Sequence, residues 1–122
     1  MPLQWTIDSR QKLVTVIADG DVTRAEFDAF LDAVNAANAY PYRKLFDGLR
    51  GDTRMAPEEL LALGARMRAS HDQGPVGPLA AVIPDEKADM VARVLGILAT
   101  AKRPMRVFRQ VGPARRWISR LR

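Results

Sequence analysis

Residues 79–85, Leu79-Ala80-Ala81-Val82-Ile83-Pro84-Asp85, carry an unbroken apolar run that stops at a proline and an aspartate. The run is too short for a self-sufficient helix, and it has no polar face. It reads as a strand buried on both sides, the kind found inside a parallel sheet. A parallel neighbour is reached only through a crossover, so helices are expected before and after it. Upstream, Pro57 suits the first position of a helix, with Glu58 and Glu59 near its positive end. Leu60, Leu63, Gly64 and Met67 form its buried stripe. The glycine- and proline-rich stretch 73–78 breaks it and reads as a turn; it lacks the Gly-Lys-Ser/Thr ending of a phosphate loop. Downstream, Asp85 can cap a helix whose stripe is Met90, Val91, Val94, Leu95 and Leu98, ending in Lys102 and Arg103. Residues 105–108 form a further strand. Gly112 and Pro113 open a last helix with Ala114, Trp117, Ile118 and Leu121 on one face.

The amino-terminal part supplies the remaining elements. Leu3, Trp5 and Ile7 alternate with Gln4, Thr6 and Asp8, the period of a half-buried strand. Residues 13–18 form a second strand, apolar on both faces. The connection through Ser9, Arg10 and Gln11 is so short that the pair must be an antiparallel hairpin. Asp19, Gly20 and Asp21 end the second strand. Thr23 and Glu26 have the spacing of a capping box, and Phe27, Phe30, Leu31 and Val34 line one face of the helix that follows. Asn38 and Pro41 mark its end. Residues 43–49 hold a strand centred on Leu45 and Phe46, with Asp47 and Gly48 at its carboxyl end. The order is β-β-α-β-α-β-α-β-α. The expected fold is α/β: a mixed, mostly parallel five-stranded sheet with four helices, in one domain spanning residues 1–122.

Composition narrows the chemistry. The chain has 122 residues, 48% hydrophobic and 27% charged, as for a globular protein, and no apolar run approaches the length of a membrane span. Cysteine is absent and His71 is the single histidine. That leaves no disulfide, no thiol nucleophile, no thiolate metal site and no metal centre built on two histidines. A cytoplasmic, non-enzymatic protein without cofactor or metal is the expectation. The formal charge is +5, yet residues 102–122 carry eight basic and no acidic residues, leaving eleven basic and fourteen acidic residues in 1–101. Aromatic residues make up 7%, which weighs against a stacking platform and so against nucleic acid as a partner.

The opening hairpin, the phrase Arg43-Lys44-Leu45-Phe46-Asp47, the strand over 79–85, and the ending Arg106-Val107-Phe108-Arg109 with Ala114 and Trp117 together resemble the STAS domain, and more narrowly the small bacterial SpoIIAA-like (STAS/SEC14-type) proteins. The resemblance runs over nearly the whole chain. It implies a regulatory protein–protein interaction module akin to anti-sigma factor antagonists. In such modules a phosphorylated serine at the start of the second helix breaks a complex by adding charge. Here the matching positions hold Met55, Ala56 and Pro57, so the family's phosphoserine is missing, and Thr53 stands a few residues early. The SEC14-type side of the resemblance implies a small apolar ligand or lipid as the alternative. Little volume is expected to remain once a chain this short has filled its own core.

Three candidate sites follow. Asp47, Asp52, Thr53, Arg54 and Met55 lie beyond a strand's carboxyl end, where ligands of open α/β sheets gather, and are taken as the partner-binding surface. Capping of an ordinary strand-to-helix connection competes with that role. Arg115, Arg116, Arg120 and Arg122 mark an anionic surface-binding face, a basic amphipathic helix on anionic lipid; docking of Trp117 and Ile118 onto the sheet competes with it. His71, beside Ser70 and on a different side of the helix, lacks the neighbours of a general base. Trp5, if it points outward, is an anchor for a homodimer.

Overall fold

In the computed structural model, which describes residues 2–71, 76–87 and 104–121, the chain is a mixed α/β protein built on one five-stranded sheet. Its strands are β1 (Leu3–Asp8), β2 (Leu13–Asp21), β3 (Arg43–Asp52), β4 (Leu79–Val82) and β5 (Met105–Phe108), and they lie in the sheet in chain order. β1 runs antiparallel to β2, with Trp5 opposite Val16. The β2–β3, β3–β4 and β4–β5 pairs are parallel. The described helices are α1 (Arg24–Ala36), α2 (Pro57–His71) and α3 (Val111–Arg120), with a single 3₁₀ turn at Asp85–Lys87. The helix expected after Asp85, with its stripe of Met90, Val91, Val94, Leu95 and Leu98 and its basic end at Lys102 and Arg103, lies outside the described residues.

This strand order decides where the helices go. Successive right-handed crossovers that step the same way across a sheet put their helices on the same face. Accordingly α1 and α2 pack on one face, where Phe30, Leu31, Val34 and Leu63 meet Leu3, Val14, Val16 and Ala18. α3 follows the last strand, makes no crossover, and packs on the opposite face, where Ala114 and Ile118 meet Leu45, Ala80 and Val82. β2 divides accordingly: Val14, Val16 and Ala18 are buried under α1, whereas Leu13, Thr15 and Ile17 are only half-buried on the other side.

Local signals hold well. The Thr23 hydroxyl accepts from the Glu26 amide at 3.2 Å, and the Glu26 carboxylate accepts from the Thr23 amide at 3.3 Å, so the capping box is formed. α1 stops at Ala36, and Asn38 turns the chain with φ 54°. Two strand ends need correction. β2 continues through Asp19–Asp21, and β3 passes Gly48 to reach Asp52, because Asp19, Gly20 and Asp21 pair with Arg50, Gly51 and Asp52. A bulge between Ile17 and Asp19 re-registers the pair, letting two glycine-containing, acid-rich segments extend each other past the end of β4.

Trp5 also settles. It sits edge-on to Phe30, ring centroids 5.5 Å apart, in the core under α1. It points inward, so the outward ring on which a dimer anchor was premised is absent.

Candidate functional site

Between the sheet and the helices α1 and α2 lies a cavity of about 240 Å³. Its floor comes from the inward-facing positions of the central strands, where Ala18 on β2, Gly48 and Gly51 on β3 and Ala81 on β4 are small and Val16, Phe46 and Leu79 are larger. Its roof is bulky and apolar, with Phe27, Phe30, Leu31 and Val34 from α1 and Leu60, Leu63 and Met67 from α2. Phe46 and Ile83 crowd the α-carbon of Gly48 and Ala18 that of Gly51, so the space is bounded by these side chains and by the aromatic rings of the roof. Phe27 meets Phe30 edge-on at 5.8 Å and Phe46 at 6.3 Å. The little volume expected to remain in a chain of this length amounts to about 240 Å³. The pattern that betrays the space was present at positions 18, 48, 51 and 81, but only strand pairing shows that these residues share one face.

The polar groups sit at the cavity's ends. At the carboxyl end of the strands, Lys87 donates to Asp52 at 2.6 Å. That hydrogen bond, helped by the Thr53 amide at 2.8 Å and the lysine's charge, holds the Asp52 carboxyl below its usual range. The Thr53 hydroxyl donates to the Val22 carbonyl at 2.7 Å and accepts from the Met55 amide at 3.1 Å. It is thus engaged in tying the end of β2 to the loop before α2. At the opposite end Lys44 reaches back to the carbonyls of Tyr40 at 2.6 Å and Tyr42 at 2.9 Å, bracing the turn that leads into β3. The positions of Lys44 and Lys87 at the cavity ends are not legible in the sequence, since a lysine in a strand or after a proline carries no spacing signal.

The five residues expected to meet a partner are not one patch. Asp52, Thr53 and Met55 line the cavity. Arg54 is exposed beside them, its amide donating to the Asp21 carboxylate at 3.1 Å. Asp47 alternates with Phe46 on β3 and so faces the α3 side, where its carboxylate accepts from the Leu49 amide at 3.2 Å. The roof is held by Arg66 of α2, which reaches both Asp32 and Asp28 of α1, the latter at 2.7 Å. The two carboxylates, Asp32 foremost, raise the Arg66 pKa above its usual value.

On the other face, Arg115, Arg116 and Arg120 of α3 are exposed, while Ala114 and Ile118 are fully buried against the sheet. The apolar side of this helix is docked on the sheet, with Trp117 partly buried there. Arg122 lies outside the described residues, as does the side chain of His71. Among the described residues no group of acidic or histidine side chains is placed to hold a metal ion, and no helix is long and apolar enough to cross a membrane.

Comparison with protein-family models, with curated proteins and with solved structures finds no match to the chain in any of the three.

Proposed function

We propose that the chain is a non-enzymatic regulatory domain that binds one small apolar molecule in the cavity between the sheet and the α1–α2 layer. One observation carries this reading: a space of about 240 Å³ walled by apolar side chains, with polar groups confined to its ends. Small-molecule sites have this character, an apolar body with few polar groups that fix orientation. Size sets the ligand class. An apolar cavity of about 150 Å³ accommodates benzene, and the same ratio gives about ten carbon atoms here. The charged groups that line the cavity, Asp52 with Lys87 at one end and Lys44 at the other, are each hydrogen-bonded within the chain, which favours an uncharged head group. Kinship with STAS/SEC14-type domains and a cytosolic setting belong to the same proposal; the opening hairpin followed by parallel strands supports the first.

The test is thermal unfolding with n-decanol, together with native mass spectrometry of the mixture. One decanol per chain and a rise in Tm that grows with ligand concentration are expected. Ala81→Leu should fill the floor and abolish both effects while the variant stays as stable as wild type or more so. Equal binding by the variant, or no binding by wild type, sinks the proposal.

A second reading is docking of a protein partner on the loop Asp52–Met55. It is favoured by the exposure of Arg54 and of the Asp52 side chain, 61% accessible, at the rim. Ala81→Leu separates the two, since partner docking at the rim survives a filled cavity and ligand sensing does not.

A further inference from the structure

The face of the sheet away from the cavity carries a cluster of arginines. By the helical repeat, Arg116 lies on the crest of α3, directly away from Ala114 and Ile118, with Arg115 and Arg120 on its flanks. Arg106 comes from the neighbouring edge strand β5 on the same side, held over the Phe108 ring at 5.1 Å. Arg43 completes the set at the carboxyl end of α3, where its guanidinium donates to the carbonyls of Ile118 at 3.0 Å and Leu121 at 3.2 Å. The acids placed on this face by strand alternation are Asp8, whose carboxylate accepts from the amides of Arg10 and Gln11, and Asp47. Among the described residues, the four exposed guanidinium groups of Arg106, Arg115, Arg116 and Arg120 thus stand on this face, while Arg43, like the two carboxylates, is already engaged.

The shape of the surface selects among anionic partners. Among the described residues α3 is the one helix on its face, so it stands as a ridge beside the bare strands β1 and β2. A ten-residue helix is about 15 Å long and 10–12 Å across with its side chains, and the major groove of B-form DNA is about 12 Å wide. A flat bilayer would touch only the crest of such a ridge, whereas a groove also brings phosphates to both flanks. Arginine, with its forked donors, is the side chain suited to phosphate oxygens. The scarcity of aromatic residues that speaks against single strands has no bearing on contacts to a duplex backbone.

We propose that the arginine ridge of α3, flanked by Arg106, binds the phosphate backbone of double-stranded DNA without reading its sequence. Fluorescence anisotropy of a short labelled duplex, titrated with the full chain at several salt concentrations, tests this. Wild type should bind in low salt and lose affinity steeply as salt rises, by a slope of about 0.9 in log K per log salt for each phosphate engaged. The triple variant Arg115→Gln/Arg116→Gln/Arg120→Gln should reduce that slope by about two to three and weaken low-salt binding at least about tenfold. Arg116→Glu alone should weaken it in the same direction, and Arg50→Gln, on the cavity's rim, should not. All three residues of the ridge are exposed, and circular dichroism checks that the variants keep the fold. The proposal is overturned if the folded triple variant binds as wild type does, if wild type fails to bind the duplex in low salt, or if phosphatidylglycerol vesicles capture the protein while duplex DNA does not.

Discussion

Arg43 joins three separate parts of the chain through one planar group. One nitrogen donates to the Ile118 and Leu121 carbonyls, which end α3, and the other to the Gln11 carbonyl in the β1–β2 turn. The last carbonyls of a helix have no partner within it, and a cation there also opposes the negative end of its dipole. Methionine at this position keeps the aliphatic stem and removes every donor. Arg43→Met is expected to cost about 2 kcal/mol, within the range for a hydrogen-bonded charged group. Urea unfolding checks the magnitude, and hydrogen exchange should show the loss of protection concentrated at the end of α3. The residue type gives no hint of this role, because an arginine opening a strand looks like any solvated charge.

The entry to β4 is tightly constrained. The chain reaches it past Gly77, whose amide donates to the Tyr40 carbonyl at 2.8 Å. A methyl group built at Gly77 would overlap the Tyr42 carbonyl oxygen and lie 2.5 Å from that of Pro41. Those are backbone atoms of the segment that feeds β3, so neither can swing aside. Gly77→Ala is therefore expected to destabilise by about 3 kcal/mol, at the upper end of ordinary overpacking costs. Equilibrium denaturation within about 1 kcal/mol of wild type would show that the approach is looser than this. The glycine- and proline-rich stretch was legible as a turn. Its need for a bare α-carbon was not, since that need comes from residues more than thirty positions earlier in the chain. β2 and β3 tell a similar story. Aspartate and glycine ordinarily end strands, but Asp19–Asp21 and Arg50–Asp52 serve as pairing partners for each other and carry both strands past the expected stop.

The whole molecule is one sheet shared by two cores. Leu45 and Phe46 are adjacent in β3 and face opposite ways, Leu45 toward α3 and Phe46 toward the cavity side. Loss of either layer exposes the other's floor, so both should melt together. Ile118, fully buried between α3 and the sheet, probes this. Ile118→Ala is expected to cost about 3 kcal/mol and to lower a single, undivided transition. Separate transitions by tryptophan fluorescence, with Trp5 under α1 and Trp117 on α3, would mean that the cores are independent. The same division separates the proposed functions. The ligand cavity lies on one side of the sheet and the arginine ridge on the other, so each can be removed by mutation without touching its counterpart.

Periodicity and punctuation were enough to read the strands, the capping box of α1 and the buried stripes of α1, α2 and α3, because those depend on the alternation of apolar residues over a few neighbouring positions. Composition alone likewise withheld thiol and two-histidine chemistry. The cavity, the inward turn of Trp5, the separation of Asp47 from Asp52 and the exposure of the α3 arginines on a ridge were decided by tertiary structure. Each depends on which positions of distant strands fall on the same face, and that is settled by strand order, by one bulge and by the handedness of the crossovers.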